Sequence, residues 1–96
     1  VSTGGIMSGV SIPVKPNYQV PFSEQVKAKA DIPVTAVGLI TKPKQAAKIL
    51  AHGEADAVEI GRAALRDPYW PLRAANKLGI PSTEIPYAPQ YVAGAY

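Results

Sequence analysis

The sharpest chemical signal in the sequence is the pair Gly61-Arg62, which follows the apolar run of residues 55–60. An arginine at that point offers a planar, permanently charged fork that meets phosphate oxygens two at a time, which a lysine ammonium cannot do. The glycine before it lets an anion come close to the backbone. Gly38 holds the equivalent position after the run 32–37, and Gly4-Gly5 follow Ser2 ahead of the first long loop. Any one of these glycines would equally suit a tight turn, and Arg62 could instead pair with a carboxylate such as Asp67. Three such positions in succession, one of them followed by arginine, point to a ligand that carries a phosphate.

The remaining candidates carry less. His52, the single histidine, precedes Gly53 and has the place of a solvent-facing helix end. Asp56 and Glu59 flank an apolar run, where carboxylates more often accept hydrogen bonds at a strand end than act as acids. Tyr69 and Trp70 stand at a helix start and are expected to pack rather than to stack on a ligand. There is no cysteine, which excludes disulfides, thiolate metal sites and a thiol nucleophile. Neither a Gly-x-Gly-x-x-Gly pattern nor a Walker-type loop occurs. No catalytic residue and no metal site are assigned.

Positioning these residues takes strands and helices in alternation. Residues 32–37 and 55–60 have the apolar character of strands covered on both faces, with Asp56 and Glu59 the interruptions in the second. Between them, Thr41 offers an N-cap with Pro43 in the first turn. Ala46, Ala47, Ile49 and Leu50 then recur at helical spacing as far as Gly53, predicting a helix over 42–52. A strand-helix-strand unit of this length requires its two strands to lie parallel in one sheet. Upstream, Pro21-Phe22-Ser23-Glu24 opens a helix over 21–30 with Phe22, Val26 and Ala30 inward. The turn-rich stretch 8–20 is a long loop, and residues 1–5 form the exit of a further strand. Downstream, a short helical turn follows Arg62, and a last helix runs from Trp70-Pro71 to Leu78, closed by Gly79. Residues 1–79 therefore alternate strand and helix, whereas 80–96, with Pro81, Pro86 and Pro89, are expected to form an extended C-terminal arm.

Five segments in this order and spacing resemble the last three strand exits of the old yellow enzyme family, and within it the bacterial NADPH dehydrogenase branch. They are Ser2-Thr3-Gly4-Gly5, Pro16-Asn17-Tyr18-Gln19-Val20-Pro21-Phe22, Ala36-Val37-Gly38-Leu39-Ile40, Ile60-Gly61-Arg62 and Leu65-Arg66-Asp67-Pro68-Tyr69-Trp70-Pro71. The resemblance implies an α/β chain that is the C-terminal portion of a (β/α)8 TIM barrel. The barrel is incomplete here, since 96 residues fall well short of the roughly 250 of a closed one. It implies an FMN-dependent ene-reductase that takes hydride from NADPH or NADH and gives it to an electron-poor alkene. Carried over, Gly61 and Arg62 bind the FMN phosphate, the Gly38 backbone lies beside them, and Ser2, Gly4 and Gly5 lie near the ribityl chain and ring edge. The family's substrate-binding histidines and proton-donating tyrosine have no counterpart in this chain, so no turnover by the chain alone is expected. Gln90-Tyr91 matches the region where the branch extends an arginine into a neighbouring subunit, but Val92-Ala93-Gly94 has none. The alternative is a non-catalytic α/β part-barrel module that assembles with another chain.

Composition sets the remaining expectations. Apolar residues make up 47% of the chain and charged residues 18%, a globular balance. A slice of a barrel leaves apolar faces and strand edges open, which predicts association with the remainder of the barrel, with another chain, or with itself as a homo-oligomer. The net charge of +3 comes from lysines and arginines scattered over helix faces, so nucleic acid is not an expected partner. No run reaches the roughly 18 apolar residues of a membrane span, and no signal-peptide order is visible. The expected location is cytoplasmic.

Overall fold

The computed structural model describes all residues, Val1–Tyr96. Its elements are α1 (Val20–Lys29), β1 (Thr35–Ala36), α2 (Pro43–Ala51), β2 (Ala57–Val58), α3 (Arg62–Arg66) and α4 (Trp70–Lys77), followed by two 3₁₀ turns, Ser82–Glu84 and Pro89–Gly94. β1 and β2 pair in parallel, Thr35 opposite Ala57 and Ala36 opposite Val58, as the strand-helix-strand pattern demands. The chain is thus a small α/β unit with two parallel strands, consistent with part of a barrel.

The strands are far shorter than the apolar runs that contain them. Strand bounds follow ladder pairing, and here each strand has only one ladder partner; the N–H groups of Asp56 and Glu59 still reach the carbonyls of Val34 and Ala36, at 2.7 and 2.8 Å. Burial on both faces is not found either. Val34, Ala36 and Ile40 are buried, whereas Asp56, Ala57 and Glu59 are exposed. Helices lie against one face of the pair, and within this chain no opposite wall covers the other.

Residues 1–3 run beside β1 on the edge away from β2. The carbonyls of Val34 and Ala36 accept bonds from the β2 side, and those of Thr35 and Val37, which alternate with them, point the other way. The Val1 amino group donates to the Thr35 carbonyl, and the Gln19 amide donates to Val37 O at 3.3 Å. Gln19 also accepts from the N–H of Thr3 and, at 3.1 Å, from its hydroxyl. The order across the chain is residues 1–3, then β1, then β2, all in one direction.

Local chemistry fixes the helices, with two departures from the sequence expectations. Thr41 is not the N-cap of α2; Lys42 is, and the Gln45 amide oxygen accepts the Thr41 and Lys42 N–H groups at 3.0 and 3.3 Å. At its other end Gly53, with φ +69°, closes the helix through a Gly53 N–H bond to Leu50 O and a Glu54 N–H bond to Ile49 O. In α1 the inward stripe is Val20 and Ser23, with Val26, Lys27 and Ala30 half-buried, and Phe22 is 46% exposed. The helix begins at Val20, one residue ahead of the expected start, and the side chain that settles against β2's approach is Ser23, whose hydroxyl donates to Val20 O at 2.8 Å and has Glu54 O as its alternative acceptor at 3.2 Å.

One core joins the four helices and the strand pair: Val20 of α1, Ala36 and Ile40 around β1, Ala46 and Ile49 of α2, Ala55 before β2, Ala63 of α3, and Trp70 with Ala74 of α4, with Val58 and Ile60 packed against it. The Trp70 indole N–H donates to Thr41 O at 3.0 Å, tying α4 to the segment after β1. The radius of gyration is 15.6 Å, against about 12.5 Å for a compact domain of this length; the molecule is a slab 47 × 32 × 18 Å. The tail is not extended throughout, because its prolines seed the two 3₁₀ turns and Ile85 between them is buried.

Candidate functional site

A cavity of about 300 Å³ opens where β1 and β2 end, and it gathers residues from all three strand exits: Ser2, Gly38, and Gly61 with Arg62. Gly38 is required there by geometry. Its φ is +127°, and a Cβ would stand 3.0 Å from both Gln19 Nε2 and Tyr18 Cε1. Leu39, next in the chain, has φ 49°, and Asn17 has φ 62°, so two non-glycine residues near the cavity hold left-handed backbone. Within the chain, no acceptor takes the N–H groups of Gly38, Leu39, Gly61, Arg62 or Ala63. The site therefore presents unpaired backbone donors together with guanidinium charge.

Arg62 is exposed and forms no ion pair. Its candidate partner in the sequence, Asp67, is taken by Arg73, whose Nε and Nη2 lie 2.6 and 2.5 Å from Asp67 Oδ2. Arg66 also lines the cavity without a salt bridge. Sequence reasoning did not single it out, although the i, i+4 spacing from Arg62 places the two on one side of a helix. Tyr18, Gln19, Thr41 and Glu59 complete the polar lining. Gly4 and Gly5 are not on the cavity wall. Both have positive φ, 84° and 81°, and a Cβ on Gly4 would stand 2.6 Å from Ile12 Cδ1, so Gly4 serves the close approach of its own loop.

The opposite end of the strand pair is chemically quiet. Asp56 accepts from the Val34 N–H at 2.8 Å and pairs with Lys27. The Lys27 ammonium, with help from that N–H, holds the Asp56 carboxyl below the usual carboxylate range. This is the strand-end hydrogen-bonding role expected of it. His52 is exposed at the α2 C-cap with Nδ1 3.5 Å from Glu54 Oε1, and it lies off the cavity.

The model of the NADH:flavin oxidoreductase / NADH oxidase family matches residues 7–80. This chain belongs to that family. Among relatives, it is similar to the NADPH dehydrogenase of Geobacillus thermodenitrificans (strain NG80-2), 50% identical over 80 residues that make up 83% of this chain and 23% of the relative. It is similar also to the NADPH dehydrogenase of Geobacillus sp. (strain WCH70), 46% identical over 93 residues, 93% of this chain and 26% of the relative. The NADPH dehydrogenase of Listeria innocua serovar 6a is 48% identical over 79 residues, 82% of this chain and 23% of the relative. The chain spans about a quarter of the length of these relatives. The likeness of its five motifs to the old yellow enzyme family, bacterial branch, thus holds at the level of the whole segment. As a member of a flavin oxidoreductase family it is related to enzymes, and none of its helices is long and apolar enough to cross a membrane.

Proposed function

We propose that this chain is the C-terminal, FMN-phosphate-binding part of a (β/α)8 NAD(P)H-dependent oxidoreductase that reduces activated C=C bonds. The observation that carries the proposal is the convergence of Ser2, Gly38, Gly61 and the unpaired Arg62 on one cavity at the strand exits. The donor set fits a dianionic phosphate ester: two guanidiniums, backbone N–H groups without acceptors, and a glycine where any side chain would clash. Gly61 and Arg62 hold the phosphate, Gly38 offers its backbone, and Ser2, with Gly4 and Gly5 after it, lies toward the ribityl chain and ring edge. When bound, FMN supplies the redox chemistry, taking hydride from NADPH or NADH and passing it to an electron-poor alkene. The residues of this chain bind and orient the phosphate end; the groups that hold the alkene and move its proton belong to the remainder of the barrel or to another chain.

Support for that division comes from the surface. Ile6, Met7 and Leu65 are 94%, 73% and 84% exposed, the condition of side chains that need a covering partner. On its own the chain is inactive and self-associates as a homo-oligomer. The test is to purify the full-length protein that carries this chain, denature it and identify what it releases. A yellow preparation that releases stoichiometric FMN is the expected result. A colourless oligomer that ignores added FMN would overturn the proposal in favour of a non-catalytic assembly module.

A further inference from the structure

We infer that Gln45 is the positioning residue of this cavity, the group that holds residues 38–41 in a shape ready for phosphate. The inference rests on the flavin-phosphate function proposed above. Gln45 lies in the first turn of α2 and does not line the cavity, yet its amide makes every hydrogen bond available to it. Oε1 accepts from the N–H groups of Thr41 and Lys42, at 3.0 and 3.3 Å. Nε2 donates to Leu39 O at 2.8 Å and to Asn17 Oδ1 at 2.6 Å. An amide side chain has two hydrogens to give and two lone pairs to fill, and here all four are used.

The partners are what make this more than a helix cap. Accepting from Thr41 and Lys42 would suffice to finish the start of α2; donating to Leu39 and Asn17 adds nothing to the helix. Those two residues are the non-glycine positions of the chain with left-handed backbone, φ 49° and 62°, and Gly38 beside them stands at +127°. Backbone in that region persists only where its surroundings over-determine it. Gln45 is the one side chain that binds both residues. If Leu39 relaxed to a right-handed φ, the peptide plane between Gly38 and Leu39 would turn, and with it a cavity N–H that no acceptor in the chain fixes. Gln45 therefore sets the direction of the donors that the phosphate meets.

Gln45→Glu separates the two roles. A glutamate keeps oxygens for the Thr41 and Lys42 N–H groups, and negative charge suits the first turn of a helix, so α2 stays capped. It removes both donations and sets an oxygen against Leu39 O and Asn17 Oδ1. In the full-length apo-protein, titration with FMN and with riboflavin gives two affinities whose ratio isolates the phosphate. The expected result for Gln45→Glu is a roughly tenfold fall in that ratio, the size of one misdirected charge-assisted donor, with the fold retained and the riboflavin affinity unchanged. Asn17→Ala, which does not touch the α2 cap, lowers the ratio in the same direction by less. A parent that prefers FMN together with a Gln45→Glu variant that keeps the full preference would overturn the role of Gln45 alone. Loss of folding in Gln45→Glu would also overturn it, showing Gln45 to be a structural residue. A parent with no preference for FMN over riboflavin would bring down the phosphate site itself, and this inference with it.

Discussion

Where β1 and β2 begin, Asp56 takes the Val34 N–H and the Lys27 ammonium, and the Ser23 hydroxyl reaches the Glu54 carbonyl. Where the same strands end, Arg62 and Arg66 face a cavity without an ion pair, Glu59 lines that cavity joined to neither, and the N–H groups of Gly38 and Gly61 have no acceptor. Two like charges at i, i+4 on a helix cost a few tenths of a kcal/mol, and left-handed backbone at Leu39 costs on the order of 1 kcal/mol or more. Gln45 holds the Leu39 carbonyl in place, but no acidic partner inside the chain relieves the two arginines. The contrast separates frame from site by satisfaction: in α/β folds the entry ends of the strands serve stability, and the exit ends bind ligands.

The largest expected effect lies in the core beneath both ends. Trp70→Ala removes a buried indole and its bond to Thr41, and is expected to cost about 3–5 kcal/mol in urea denaturation, with FMN binding weakened alongside the loss of fold. Arg62→Ala should act at the exit end alone. It is expected to lower FMN affinity by roughly one to two decades, or about 1.5–3 kcal/mol, with the fold retained. Arg62→Lys recovers part of this, since it keeps the charge and loses the fork. An alanine variant that bound FMN as tightly as the parent would reduce Arg62 to a surface charge.

Gly38→Ala comes next, since it forces a Cβ onto a φ of +127° against Gln19 and Tyr18. About 1–3 kcal/mol of stability should go, accompanied by weaker FMN binding, and a variant with unchanged melting and affinity would show that the cavity wall yields freely. Asp56→Asn is the smallest and belongs to the entry end. The Asp56 carboxyl titrates below its ordinary value in the folded chain because of Lys27 and the Val34 N–H. Its charge therefore contributes stability at pH above the unfolded carboxylate value of about 3.9, and that contribution is lost as pH falls through the lower folded value. The gap in stability between parent and Asp56→Asn should be open at neutral pH and close in acid, with FMN affinity equal in both. A gap independent of pH would mean that the charge is idle.

What the sequence disclosed follows from how local each signal is. The parallel pairing of β1 with β2 was readable because the crossover helix, its proline and Gly53 all lie within one short stretch. Ser2, Gly38, Gly61 and Arg62 could be brought together on paper because strand exits share one edge of a parallel sheet. The face of α1 departs from expectation at Phe22 alone: a helix turns by about 100° per residue, so with Ser23 buried, Phe22 beside it lies about 100° off the inward stripe and is exposed. Exposure of Asp56, Ala57 and Glu59 depends on an opposite wall that these residues do not encode. Gln45 looks like any polar residue on a helix, and its four partners appear only when residues 17 and 39 meet in space. Gly4 and Gly5 carry the same glycine signal as Gly38 and share its positive φ, yet they lie off the cavity wall, a difference that composition does not show.

Trp70 is the single tryptophan of the chain, and its indole N–H is fastened to the carbonyl of Thr41, three residues beyond Gly38. This chain thus carries an optical reporter in its core, one hydrogen bond away from the cavity wall. Its emission answers to the packing of the core around it and to its bond with the Thr41 carbonyl, so loosening of the segment after β1 is expected to register in the intrinsic fluorescence of this chain.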